Sequence, residues 1–230
     1  MSMFKKLMSV LLATVCLCTA FAALAEQTDP ALTEFQQQEK RALEGDVDAM
    51  FDMGYDYAHG VGVEQDYAKA MEWYLKAAEQ GNTAAQCNIG WLYEYGYGVE
   101  IDMAKALEWY HKAAEGGDEV AADNLGLSYE YGTGVEEDEV QAFEWYRKST
   151  EAGDARGMAL LGLCYAKGLG VEKDEWQSYE WYRKSAEAGD AEAMRLLGLC
   201  YEHGTGVEKD EAQAQYWKQK AIEAGWEEEA

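Results

Sequence analysis

Residues 81–116 read GNTAAQCNIGWLYEYGYGVEIDMAKALEWYHKAAEG. The same text returns, with variations, every 36 residues upstream and downstream, so that copies open at Gly45, Gly81, Gly117, Gly153 and Gly189, and Gly225 opens another that stops almost at once. Fixed spacing without insertions is the mark of a repeat array in which one supersecondary unit is stacked on the next. The repeats are 45–80, 81–116, 117–152, 153–188 and 189–224.

The unit can be derived from the residues of its second copy. Ala85, Ile89, Gly90 and Tyr93 fall on one face of a helix that starts after Asn82, an acceptable N-cap, and stops at Gly96. Gly96-Tyr97-Gly98-Val99 breaks the helical period, and Asp102 caps a second helix on which Ala106, Trp109, Tyr110 and Ala113 make another apolar stripe before Gly117. Two short helices cannot bury both stripes alone, so each copy must pack on its neighbour.

Comparison among the copies separates scaffold from candidate site. The small residue (Ala49, Ala85, Ala121, Gly157, Ala193), the apolar residue (Met53, Ile89, Leu125, Leu161, Leu197), the glycine (Gly54, Gly90, Gly126, Gly162, Gly198) and the tyrosine (Tyr57, Tyr93, Tyr129, Tyr165, Tyr201) recur on the first helix. A glycine inside a helix costs about 1 kcal/mol against alanine, so its recurrence predicts close approach of another helix. Trp73, Trp109, Trp145, Trp181 and Trp217 recur on the second helix and are expected in the core, where Trp145→Ala should cost about 3 to 5 kcal/mol.

The pattern A-x-x-x-L-G-x-x-Y-x-x-G-x-G-V-x-x-D-x-x-K/Q-A-x-x-W-Y-x-K-A-A-E-x-G, as it runs from Gly81 to Gly117, resembles the Sel-one-like repeat (SLR), a relative of the tetratricopeptide repeat. The resemblance covers Gly45 to Ala224. It implies an all-α, right-handed α-solenoid superhelix (an α-α superhelix) whose first helices line a concave surface that binds proteins or peptides. The fifth copy departs from the pattern with Tyr216-Trp217-Lys218 in place of Glu-Trp-Tyr, which makes the packing of its last helix less certain to be regular.

The variable first-helix positions share one face, and the concave groove is expected along it. They are Asp48, Asp52, Tyr55, Asp56 and His59 in the first copy, Asn88, Trp91, Leu92 and Tyr95 in the second, and Asn124, Leu127, Ser128 and Tyr131 in the third. Arg156, Leu160, Leu163 and Lys167 follow in the fourth, and Glu192, Leu196, Leu199 and His203 in the fifth. The stripe runs from acidic, through aromatic and amide, to apolar with two cations, which suits an extended peptide with a basic end and apolar anchors. The same positions would look alike if they only faced solvent or packed between turns.

Outside the repeats, residues 1–25 carry Lys5 and Lys6, an apolar run from Leu7 to Ala22 and the small-residue pattern Ala23-Leu24-Ala25, and they read as a secretory signal peptide cut after Ala25. The apolar run is short for a membrane span, so no stable insertion is expected after cleavage, and a periplasmic or extracellular destination follows. Residues 26–44 read as a capping helix begun by Asp29-Pro30, with Leu32, Phe35 and Leu43 against the first repeat. Residues 225–230 form an acidic tail in which Trp226 folds back on the last helix.

The chain holds 44 acidic against 19 basic residues, a formal charge of −25, and loss of the leader removes two of the basic ones. Nucleic acid and anionic membrane surfaces are disfavoured as partners by that sign, and a basic or neutral protein partner is favoured. Much of the charge is helix surface: Glu64, Glu100, Glu136, Glu172 and Glu208 precede each second-helix cap, where the dipole favours anions. A monomer is expected. Cys16 and Cys18 leave with the leader; Cys87, Cys164 and Cys200 remain. Cys164 and Cys200 hold equivalent positions in adjacent copies, about 8 to 10 Å apart by helix spacing, which exceeds the reach of a disulfide, so buried free thiols are expected.

An enzyme is the second class to weigh. Some secreted members of the resembled family carry a cysteine pair within each repeat, and a β-lactamase-like hydrolase activity has been proposed for them; that pairing is absent here. Ser128, Ser149, Ser178 and Ser185 have no lysine three residues on, and His59, His111 and His203 are scattered. Glu136-Glu137-Asp138-Glu139 lacks the alternation and central glycine of a calcium loop. No catalytic residue, cofactor or metal is expected.

Overall fold

The structure, a computed structural model, describes residues 33–151 and 153–227. Eleven helices and no strand occupy them: α1 (Glu34–Leu43), α2 (Val47–His59), α3 (Tyr67–Glu79), α4 (Thr83–Tyr95), α5 (Met103–Glu115), α6 (Glu119–Tyr131), α7 (Glu139–Glu151), α8 (Ala155–Lys167), α9 (Glu175–Glu187), α10 (Ala191–His203) and α11 (Glu211–Glu223). Residues 1–32, which include the expected leader and Asp29-Pro30, lie outside this description.

Each repeat is a first helix and a second helix written by local chemistry. The Asn82 side chain accepts from the Ala85 amide at 2.7 Å, and α4 stops at Gly96, whose φ of 71° is open to glycine at little cost. The chain then turns back so that the amide of the next cap, Asp102, donates to the Tyr93 carbonyl at 3.0 Å. Asp102 in turn accepts from the Lys105 amide and starts α5. The same return bond recurs from Asp66 to Tyr57, Asp138 to Tyr129, Asp174 to Tyr165 and Asp210 to Tyr201, which fixes one hairpin geometry five times.

Consecutive helices pack all along the chain, and successive first helices also touch, α2 with α4, α6 with α8 and α8 with α10. No second helix makes a comparable contact with the next second helix. First helices therefore crowd one side and second helices spread on the other, as in an all-α solenoid.

The recurrent helix glycine is explained by a ring. A Cβ added at Gly90 would lie 2.6 Å from Tyr110 Cε1, and Gly54, Gly126 and Gly162 face Tyr74, Tyr146 and Tyr182 in the same way. Gly90→Ala gains about 1 kcal/mol of helix propensity but drives a methyl into a buried ring, an overpacking worth about 1 to 3 kcal/mol. A net loss of up to about 2 kcal/mol is expected by denaturant titration, and a gain of stability would contradict the contact.

The core residue of each second helix is this tyrosine, not the tryptophan before it. Tyr74, Tyr110 and Tyr146 are at most 1% exposed. Trp73 is buried, but Trp109, Trp145, Trp181 and Trp217 are half-buried, with Lys76, Lys112, Lys148 and Lys184 placed over the rings of Trp73, Trp109, Trp145 and Trp181. At the 100° step of a helix only one of two adjacent aromatics can face inward fully, and the glycine opposite selects the tyrosine. In the fifth copy Lys218 takes the tyrosine's place and keeps its polar contact, with Nζ 2.9 Å from Glu202 as the Tyr110 and Tyr146 hydroxyls lie against Glu94 and Glu130. The Lys218 side chain is half-exposed, and only Ala214 and Ala221 of α11 are buried, so the last hairpin keeps the contact without the buried ring.

At the N-terminal end α1 is started by a capping box of Thr33 with Gln36 and covers the first repeat through Ala42 and Phe35, whose ring meets Tyr57 edge-on at 5.7 Å. Leu43 is 72% exposed rather than in contact, because Ala42 occupies the inward position next to it. At the other end the Trp226 ring lies over Arg195 of α10, 5.6 Å away, so it reaches past α11 to the helix before. Cys87, Cys164 and Cys200 are buried and unpaired, and burial pushes all three thiols up, Cys164 to about 12 and Cys200 to about 11.

Candidate functional site

On the crowded side, α4, α6 and the start of α8 enclose a groove of about 520 Å³. Trp91 and Tyr95 of α4 form one wall, Val120, Asn124, Leu127 and Tyr131 of α6 the other, and Arg156 of α8 closes one end. Each pair of wall residues lies three or four apart, so the helical period alone aligns them. Tyr95, Val120 and Tyr131 are 53%, 48% and 66% exposed, an apolar lining open to solvent.

The floor is polar and ordered. The Tyr110 hydroxyl donates to Glu94 at 2.5 Å, and Ser128 donates to the Asn124 carbonyl at 2.8 Å. Burial and the Glu94 carboxylate both raise the Tyr110 hydroxyl far above the ordinary phenol range, so it remains a donor. Arg156 Nε lies 3.9 Å from Asp123, a carboxylate 1% exposed beneath the groove.

Next to the groove four rings build a platform. Tyr67 and Tyr97 stack at 4.8 Å, Trp91 meets Tyr97 at 4.8 Å, and Tyr95 lies 5.8 Å from Trp91 and 5.9 Å from Tyr97. Centroid separations of this size belong to favourable aromatic pairs. Tyr97 sits in the loop between α4 and α5, where other copies have Val61, Thr133, Leu169 and Thr205. Comparison of loops as well as helices would have found it.

Of the expected stripe, Trp91, Tyr95, Asn124, Leu127, Tyr131 and Arg156 come together in the groove. Asp52, Tyr55 and His59 are exposed on α2, outside it, with the Tyr55 and His59 rings stacked at 4.0 Å. Asn88 is half-buried and its side chain faces the Tyr74 hydroxyl. Leu163 is half-buried and Lys167 exposed further along α8. Leu92 is fully buried and Ser128 nearly so, and these two positions belong to the packing because each lies one helical step inward of the wall residue before it. Leu160 and Leu196 are likewise half-buried against the core.

Ser128, Ser149, Ser178 and Ser185 are all buried. Among the described residues no cluster of three or more His, Cys, Asp or Glu could hold a metal ion, and no helix is long and apolar enough to cross a membrane.

The fold is shared with known structures. The chain resembles a protective antigen of uropathogenic Escherichia coli with an SLR fold at 39% identity and a TM-score of 0.74, over 82% of this chain and 40% of that one. It therefore spans less than half the length of that relative. A Sel1 repeat protein from Oxalobacter formigenes is 37% identical with a TM-score of 0.75, over 84% of this chain and 80% of that one. An immunity protein from Pseudomonas aeruginosa, 20% identical with a TM-score of 0.59, covers 88% of this chain and 79% of that one and shares the fold alone. No curated protein matches the chain. The Sel1 repeat profile matches residues 47–82, 83–118, 120–154, 155–190 and 191–226, and on that ground, with the five hairpins above, the chain belongs to the Sel1 repeat family.

Proposed function

We propose that the chain is a secreted or periplasmic scaffold that holds an extended peptide segment of a protein partner along its first helices, without catalysis. The observation that carries this reading is the groove between α4, α6 and α8, where exposed Tyr95, Val120 and Tyr131 surround a floor whose polar groups are already bonded to one another. Aromatic side chains in such a recess are the usual anchors of a binding interface. The acidic side chains of α2, Asp48, Asp52 and Asp56, continue the face toward the N-terminal end, so a segment with apolar anchors and a basic flank is complementary to it. Burial, with the charges of Asp48 and Asp46 and against the pull of Arg41, raises the Asp52 carboxyl, a cost that a further cation from a partner would relieve. A serine hydrolase of the family's cysteine-rich kind is disfavoured by four buried serines and three buried, unpaired thiols.

Selection of random displayed peptides on the full chain tests the reading. Recovered sequences should share aromatic or aliphatic anchors beside lysine or arginine, and Trp91→Ala with Tyr95→Ala should weaken their binding at least tenfold while the helical content is kept. Equal binding by the folded double variant would refute it.

A further inference from the structure

The third and fourth repeats meet differently from the rest. At the other junctions between repeats the position of Asp123 holds Phe51, Cys87 or Ala159, and the fifth copy, with no repeat after it, has Arg195 there; the position of Ser149 holds Ala77, Ala113 and Ala221 in three copies and Ser185 in the fourth. Facing both, the fourth copy has Gly157 in place of Ala49, Ala85, Ala121 and Ala193. The glycine is a steric consequence: a Cβ there would run into the Ser149 hydroxyl and lie 3.2 Å from Asp123 Oδ1. An acid, a hydroxyl and a glycine thus come together at this one junction between repeats and at no other.

The polar groups so buried are not satisfied. Asp123 is 1% and Ser149 0% exposed, and neither Asp123 Oδ1 nor Ser149 Oγ has a hydrogen-bond partner among the described residues. At the next junction the matching Ser185 hydroxyl donates to the Ala155 carbonyl at 2.6 Å, so the sequence position alone does not force the deficit. A buried polar atom without a partner costs about 1 to 3 kcal/mol and calls for a reason.

The charges around Asp123 are unbalanced. From α8, the N-cap Asp154 carboxylate faces it while accepting from the Gly157 amide at 2.5 Å, and Arg156 offers one long contact of 3.9 Å from a side chain half in water. From α7 comes only the neutral Ser149 hydroxyl, because Glu144, Arg147 and Glu151 pair with one another on the exposed face and Lys148 lies over Trp145. On α5, Lys112 lies over Trp109 and Glu115 is exposed. A protonated Asp123 can donate to Asp154 or Ser149; an ionised one keeps the Ser149 hydroxyl as its neutral donor and adds a second negative charge beside Asp154 in a buried contact.

We propose that Asp123, Ser149 and Gly157 form a proton-sensitive hinge between the third and fourth repeats, at which ionisation of Asp123 loosens the first turn of α8 from the repeat before it. Burial, with Asp154 adding to it and the Ser149 hydroxyl and Arg156 opposing it, pushes the Asp123 carboxyl up to about 7, which puts the change near neutral pH. Arg156 rides on the loosened turn and closes the groove, so the hinge would also reset that end of the binding face. The hinge itself does not require that the groove bind anything.

Hydrogen exchange of the free full chain reads the hinge directly. After correction for intrinsic exchange, protection of the first two turns of α8 should fall by about 30- to 100-fold between about pH 5 and pH 8.5, while α4 does not change in step. Asp123→Asn, and separately Asp123→Ala with Ser149→Ala to restore the contact seen at other junctions, should abolish the fall. Protection of α8 that is independent of pH in the native chain, or that falls equally in both variants, would overturn the proposal. Loss of peptide binding without either result would count against the groove and leave the hinge standing.

Discussion

Replacing Tyr146 with alanine is expected to destabilise the chain by about 3 to 5 kcal/mol, the cost of removing a large aromatic from a close-packed interior. Its ring is 1% exposed, fills the space left by Gly126, and carries a hydroxyl that donates to Glu130 at 2.7 Å. The neighbouring Trp145→Ala should cost about 1 to 2 kcal/mol, since that ring is half-buried and part of its interaction is with Lys148 in water. Tyr146→Phe, which keeps the ring and loses the bond, should fall near the lower of these values, about 1 to 2 kcal/mol. Urea denaturation of the three variants measures the order directly. A larger loss for Trp145→Ala than for Tyr146→Ala would put the wrong aromatic in the core.

The second large effect is a gain. Between about pH 4 and pH 7 the unfolded chain has lost the Asp123 proton while the folded chain still holds it, so stability falls as pH rises through that window and levels off above it. Asp123→Asn has no proton to lose. The variant should match the native chain near pH 4 and be more stable by roughly 2 to 4 kcal/mol near pH 8, its midpoint declining less across the window because only the raised Asp52, Asp56, Asp118 and Asp190 still contribute. Thermal melts of the two proteins at both pH values check this. A variant less stable than the native chain at the higher pH would show that the Asp123 charge is compensated in the fold.

The architecture was legible because it is written five times. A 36-residue period, a cap before each helix and a glycine after the first helix of each pair left one arrangement of hairpins, and the structure has it. The pairing of Gly90 with some close neighbour was also legible, but not which neighbour: Trp109 and Tyr110 are adjacent and both aromatic, and only the relative rotation of α4 and α5 decides between them. Six residues of the candidate stripe, Trp91, Tyr95, Asn124, Leu127, Tyr131 and Arg156, line one groove, as their spacing suggested. Others went elsewhere because a helix face is wide: Leu92 and Ser128 turn inward from it, while Tyr55 and His59 stack on each other one repeat away.

Two features needed coordinates. Tyr97 and Tyr67 are far apart in sequence and in different repeats, and they meet only when a loop folds over the preceding hairpin. Asp123 looks like one more acidic residue in a chain with 44 of them, and its burial depends on packing against α8. The substitutions at Ser149 and Gly157 were visible in the alignment of copies, and their sense appears once the three are seen to touch.

The central claim is that the message of this solenoid lies on the side where its first helices crowd together. A crystal structure of the chain with a peptide recovered by selection tests it most directly. The account predicts an extended segment along α4, α6 and α8, its anchors between Trp91, Tyr95 and Tyr131 and its basic flank toward Asp52. A peptide seated on the second helices, across the lysine-covered tryptophans, would contradict it.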